Sequence, residues 1–282
     1  VIDVILHALP IAIVASTPLL LAVEGELVVQ RSGIINLGIE GMMLTAAMTA
    51  VVAQQSMHSV VAGFIGGILG ALLIAMLFGV FAIRYRADQI VTGTAINLLA
   101  LGLTGFVYQA MSGSLFTAVS AMREVAQYAV VLIAWVVVPA ILAVMLWMTS
   151  FGLRLRASGE NPEAVRHAHA YRWSALAIEA VLAGMGGAYL ALALSSGFAE
   201  NMTAGRGFIA LSIVIFGRWK VRGAIIGTAL FGVAAALQYT MQAMSIGLPF
   251  HLLLAVPYVV TLLILCGIAG RVRAPEALGR RD

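Results

Sequence analysis

Residues 60–83 read VVAGFIGGILGALLIAMLFGVFAI, an uninterrupted stretch without a charged side chain. A bilayer's hydrocarbon core is about 30 Å thick and needs roughly 20 apolar residues per helix, so this stretch is long enough to cross one. Similar runs fall at about 5–23, 33–54, 89–111, 126–148, 173–195, 222–244 and 250–269. Gly207 to Phe216 is apolar too, but too short to cross unaided. The expected fold is all-α: a polytopic transmembrane helix bundle of about 8–10 helices, including one short or broken helix, with residues 1–282 as a single domain.

Composition agrees. Hydrophobic residues make up 62% of the chain and charged residues 10%, where soluble domains carry about a quarter charged residues. Mean hydropathy is +1.04. The spans leave no room for a separate soluble domain. Cys266 is the single cysteine, which excludes an intrachain disulfide and a CxxC motif. A pI of about 9.6 does not mean nucleic-acid binding, because the cations punctuate the apolar runs and do not cluster with stacking aromatics. The N-terminal residues, with Asp3 and no basic cluster, read as the opening of the first span rather than a secretory signal.

Basic residues near span ends mark the cytoplasmic side. With Gly207–Phe216 counted as one crossing and the C-terminal tail inside, the cytoplasmic segments hold Arg31; Arg84 and Arg86; Arg154, Arg156, Arg166 and Arg172; Arg218, Lys220 and Arg222; and Arg271, Arg273, Arg280 and Arg281. Only Arg123 and Arg206 fall outside. Nine crossings with an external N-terminus follow. Gly63/Gly67, Gly66/Gly70 and Gly223/Gly227 are GxxxG pairs that suit close helix packing, partner unspecified.

Two carboxylates, Glu40 and Glu179, read as lying within spans, where each costs about 2.5–3.5 kcal/mol at mid-helix. Asn36 and Glu40, at i and i+4, are expected on one helical face, loosened by Gly33, Gly38 and Gly41. Two readings stay open for Glu40: a lining of a translocation route, or a buried structural hydrogen-bonding group. Asn97 reads as an interhelical hydrogen bond or a substrate contact, and Asp88 as a marker of the membrane surface. Glu179, only about two turns into its span, is near enough to the span's end for interfacial water to be within reach. The segment Thr203-Ala204-Gly205-Arg206-Gly207-Phe208 precedes the short crossing. A helix starting there aims free N–H groups at a polar substrate oxygen or an acidic partner.

The longest connection, GLRLRASGENPEAVRHAHAYRW (152–173), contains a helix-start pattern at Asn161-Pro162-Glu163: Asn caps, Pro suits the first helical position and Glu complements the dipole. A short helix on the cytoplasmic face is expected from it.

At this point the chain resembles the permeases of ABC importers for nucleosides and related simple sugars, the branch that works with a basic-membrane-lipoprotein-type binding protein. The stretches that carry the resemblance are RSGIINLGIEGMML (31–44), ADQIVTGTAINLLALGLTGF (87–106), GLRLRASGENPEAVR (152–166), MTAGRGFIALSIVIFGRWKVRGAIIG (202–227) and LPFHLLLAVPYVVTLLIL (248–265). The resemblance implies a bacterial inner-membrane protein paired with a second permease, typically a longer paralogue, and with cytoplasmic ATPase subunits that bind ATP and Mg, this chain binding no cofactor. It implies that Gly159, Glu160, Asn161, Pro162, Glu163 and Ala164, within a coupling loop at 149–172, form the ATPase-coupling helix. It also implies that Asn36, Glu40, Asn97, Thr203, Arg206 and Phe208 lie near the pathway or its outer mouth. The run His167-Ala168-His169-Ala170-Tyr171-Arg172-Trp173 departs from the small apolar residues usual in relatives.

No GxxxxGK[ST] loop occurs, so the energy source is another chain or an ion gradient. The rival to the ATP-driven reading is an ion-coupled secondary transporter with Glu40 carrying the proton. An intramembrane enzyme is disfavoured, since no HExxH, Ser–His pair or carboxylate dyad is seen in the spans.

Overall fold

The structure, a computed structural model, describes residues 2–110, 122–243 and 274–280. The expected span at 250–269, and Cys266 within it, lie outside the described residues. Among those described, every regular element is helical: α1 (Ile2–Arg31), α2 (Ile39–Met57), α3 (Val60–Arg84), α4 (Gln89–Ala110), α5 (Glu124–Met148), α6 (Ser150–Glu160), α7 (Ala168–Leu194), α8 (Arg206–Phe216) and α9 (Val221–Ala243). Helices α3 and α7 each end in a π-turn, and α5 contains one at Ile133–Val137. Six of these helices are long and apolar enough to cross a membrane.

Helix α2 is not among the six, since it carries Glu40, Thr45, Thr49 and Gln54. It lies inside the bundle, covered by α3, α7, α4 and α8. Protein, not lipid, surrounds its polar side chains. Close approach depends on small residues: a Cβ at Gly67 of α3 would lie 2.9 Å from that of Ala188 in α7, and one at Gly63 would meet Leu192 at 2.7 Å. Gly66 faces Ala53 of α2, and Gly70 and Gly223 pack as tightly on Thr49 and Gly217. The GxxxG pairs therefore join α3 to α2 and α7, and α9 to the end of α8.

Helix starts are capped from within. Asp88 Oδ1 accepts the N–H groups of Ile90 and Val91 at 3.0 Å, and Thr149 Oγ1 accepts that of Gly152 at 3.0 Å.

The five basic segments converge at one end of the bundle. Arg31 Nε donates to the Trp219 carbonyl at 2.8 Å. The Ser32 carbonyl accepts from Ser158 Oγ at 3.3 Å and Arg172 Nε at 3.4 Å. The amides of Ala277 and Gly279 donate to the Gly159 and Gly33 carbonyls at 2.9 and 3.0 Å, and Gln89 Nε2 to the Arg280 carbonyl at 3.4 Å. The guanidiniums of Arg31 and Arg156 both lie over the Trp147 ring, 5.3 and 5.0 Å from its centroid.

Three expectations are corrected. The first span does not stop at residue 23; α1 runs to Arg31 and carries Glu24 and Glu26 inside the bundle, with Leu27, Val28 and Val29 completing its apolar face. Residues 32–38 are not helical, so Asn36 and Glu40 share no helical face. The break begins at Gly33, whose φ of +94° suits glycine. Finally, the short helix expected at Asn161 is reduced: Asn161 ends α6 and precedes Pro162 at the first position of the next turn, but its side chain makes no cap. Only a single 3-10 turn, Pro162–Ala164, follows, and His167 at φ +62° separates it from α7.

Candidate functional site

After Arg31 the chain turns back into the bundle. Ile35 N–H donates to Gln89 Oε1 at 2.8 Å, at the basic end. Two residues further on, the Leu37 carbonyl accepts from Asn97 Nδ2 at 2.7 Å. Asn97 lies eight residues into α4, about 12 Å from Gln89 at 1.5 Å rise per residue. Residues 32–38 thus form a re-entrant leg, and α2 begins about 12 Å in from the basic end of the bundle. Such irregular backbone is tolerated at membrane depth only inside protein, where its polar groups find partners. Asn36 Oδ1 accepts from Gly38 N–H at 2.9 Å, and Asn97 Oδ1 from Gly41 N–H at 2.8 Å. Asn97 therefore clamps both sides of the α2 start.

A second broken crossing meets the first. From the end of α7 the irregular residues 195–205 descend along α4, with Phe198 against Tyr108 at 5.7 Å and Glu200 accepting from Gln109 at 3.1 Å. They reach Gly205, whose φ of +83° turns the chain into α8. The free amides of that helix start are met by a carboxylate of the same chain. Glu40 Oε1 accepts from Gly205 N–H at 2.8 Å, and Oε2 from Gly207 N–H at 2.6 Å. Both the charge and the two hydrogen bonds suit a helix N-terminus. Gly207 is the residue that permits it, since a Cβ there would lie 2.6 Å from the Glu40 backbone nitrogen.

The predicted pathway residues thus divide. Glu40 and Asn97 hold the joint together, and Asn36 points away from Glu40. Thr203 is buried, its hydroxyl unpaired among the described residues, while Arg206 Nη1 curls back to the Met202 and Thr203 carbonyls at 3.0 and 3.1 Å. Phe208, nearly half exposed on α8, is the aromatic side chain that the joint presents outward.

Below the joint lies a polar chain that sequence reading missed. Trp219 Nε1 donates to Gln30 Oε1 at 2.7 Å, and Gln30 Nε2 to Glu26 Oε1 at 2.7 Å. The Glu26 and Glu179 carboxyls face each other, and Glu179 Oε2 accepts from Asn36 Nδ2 at 2.6 Å. Both glutamates are fully buried, which corrects two expectations: Glu179 does not reach interfacial water, and the spans do contain a carboxyl pair. Glu179 packs against Gly25, where a Cβ would lie 3.0 Å from its Cα. The apolar run resuming at Leu27 was the one signal in the sequence that α1 continues. Among the described residues, both oxygens of Glu24 are buried without a hydrogen-bond partner.

At the basic end, Gly159 is buried against Arg31, whereas Glu160, Asn161, Glu163 and Ala164 are exposed. Arg154 Nη1 donates to the Tyr171 hydroxyl at 3.2 Å, which raises its pKa further and keeps it a fixed cation. Among the described residues no cluster of three or more His, Cys, Asp or Glu could hold a metal ion.

Interior broken helices, apolar outer faces and a basic end together define a polytopic helical membrane protein of the transport class. Residues 8–265 match the family model described as branched-chain amino acid transport system / permease component, and the chain belongs to that family. It is similar to the nucleoside ABC transporter permease protein NupC of Lactococcus lactis, with 33% identity over 95% of this chain and 93% of the relative. It is 31% identical to the guanosine ABC transporter permease protein NupQ of Bacillus subtilis, over 99% of this chain and 97% of the relative. A putative glucose ABC transporter permease protein of Haloferax volcanii is 32% identical over 83% of this chain and 77% of the relative. No solved structure matches the chain.

Proposed function

We propose that this chain is the membrane-spanning permease of an ATP-binding-cassette importer for nucleosides, driven by ATP and Mg on a separate cytoplasmic ATPase. The observation that carries the reading is the joint at Glu40, where two broken crossings meet inside the bundle. Transporters build solute sites at such discontinuous helices, because a half-helix start presents polar backbone without exposing it to lipid. Phe208 supplies an aromatic face for a nucleobase, and the curated relatives named for nucleosides support the substrate class. The distribution of arginines supports taking the basic end as the cytoplasmic one, with residues 274–280 inside. The exposed turn Pro162–Ala164 is the ATPase contact, within the loop 149–172 of a single permease domain. A second permease, a paralogue of this chain, and an extracytoplasmic substrate-binding lipoprotein complete the assembly.

An ion-coupled carrier with Glu40 as the proton site is less favoured, since both of its carboxylate oxygens are already engaged by backbone amides. The test is to reconstitute the chain with its co-expressed partners and measure ATP hydrolysis against a panel of nucleosides and simple sugars. Stimulation by nucleosides is expected. Uptake that continues without an ATPase and stops when the proton gradient is collapsed would establish the carrier instead.

A further inference from the structure

We propose that Lys220 anchors the headgroup of an anionic phospholipid whose acyl chains lie in two apolar clefts flanking the start of α9. One cleft, about 270 Å³, runs between α8 and α9 along Ile213, Phe216, Ile226, Leu230 and Phe231. The other, about 500 Å³, lies between α5 and α9 against Ala143, Val144, Trp147 and Met148. Lys220 lines both, with Arg218 beside the first and Arg222 beside the second.

Charge identifies the occupant. Lys220 and Arg222 are exposed, and no acidic side chain lines either cleft among the described residues. The neighbouring cations are otherwise engaged: Arg31 is bound to the Trp219 carbonyl, and both Arg31 and Arg156 stack on Trp147. A soluble anion would use the charge but gain nothing from apolar walls. A phospholipid uses both, because basic pockets between spans pair with acidic headgroups while the chains replace water along the grooves. Ile226 and Leu230, exposed at 59% and 40%, continue the first groove along the flank of a membrane-crossing helix. Lys220 is also the chain's sole lysine, so its environment can be read by side-chain amine labelling.

The test uses the full chain purified with its partners, titrated with phosphatidylglycerol and followed by native mass spectrometry. Removing both charges, Lys220→Gln with Arg222→Gln, should weaken retention about 30-fold, while Lys220→Arg should keep it near wild type. Phosphatidylglycerol should also protect Lys220 from an amine-reactive reagent. Equal retention by the double variant would overturn the site, as would equal binding of phosphatidylcholine. Protection by inorganic phosphate alone would show an ion site in place of a lipid site. None of these outcomes depends on which solute is transported.

Discussion

Glu40, in the first turn of α2, closes the start of α8 by accepting the Gly207 amide at 2.6 Å, across 167 residues of sequence. One carboxylate thereby joins the two broken crossings. Glu40→Gln keeps an acceptor but loses the charge that complements the helix start, and is expected to cost about 1–2 kcal/mol of stability. Glu40→Ala should cost more, leaving two buried amides unpaired. Thermal unfolding in detergent checks the order, and solute uptake should fall in the same sequence.

Glycine positions give a sharper contrast. Gly207→Ala forces a Cβ against the Glu40 backbone and should destabilise by about 1–3 kcal/mol. A methyl group at Gly102 or Gly105 on α4 would meet nothing within 4 Å among the described residues. Alanine at either should be neutral or stabilising by up to about 1 kcal/mol. Equal losses at all three positions, measured by thermal unfolding, would contradict the joint geometry.

Asn97 serves both edges of the re-entrant leg, accepting from Gly41 and donating to Leu37. Asn97→Ala should therefore lose about 2–4 kcal/mol, since an acceptor and a donor are orphaned together. Asn97→Asp retains only the acceptor and should fall between. Hydrogen exchange at the Gly41 amide reads the same bond directly.

The carboxyl pair predicts unequal outcomes for two substitutions at one position. Glu179→Gln supplies an N–H to the Glu26 carboxyl and should leave stability within about 1 kcal/mol of wild type. Glu179→Ala strands Asn36 Nδ2 and should cost about 1–3 kcal/mol. If both variants melt alike, the facing arrangement of Glu26 and Glu179 is wrong.

Glu163 is exposed on the turn that we assign to the ATPase contact. Glu163→Arg should lower uptake and ATPase stimulation several-fold while membrane insertion stays intact. Wild-type coupling in that variant, measured on the reconstituted assembly, would move the contact elsewhere.

Much of this architecture is legible in residue order. Runs such as 60–83 and 126–148 become α3 and α5, because a bilayer demands length and apolarity before anything else. The short apolar stretch ahead of Phe216 becomes α8, and the scattered arginines gather at one end. The buried polar groups were harder to read. Glu24 and Glu26 look like the end of a span because local composition cannot show that Glu179, some 150 residues later, will face one of them. Asn36 and Glu40 have helical spacing, but the leg between them is held by Gln89, Asn97 and Glu179 from other helices. Asn161-Pro162-Glu163 has the chemistry of a helix start, yet there α6 has just ended and His167 turns the chain away.

The clasp between Gly159, Gly33 and residues 277–279 bears on biogenesis. Translation delivers this segment only after α1 to α9 have left the ribosome. The carbonyls of Gly33 and Gly159 must therefore wait, provisionally hydrated, while the crossings between them and the clasp are inserted. Closing them is a late assembly step, so a stalled or clipped nascent chain would present an unfastened basic end to any partner or protease. In this way a late-made turn reports to an early-made helix that synthesis has passed the crossings between them.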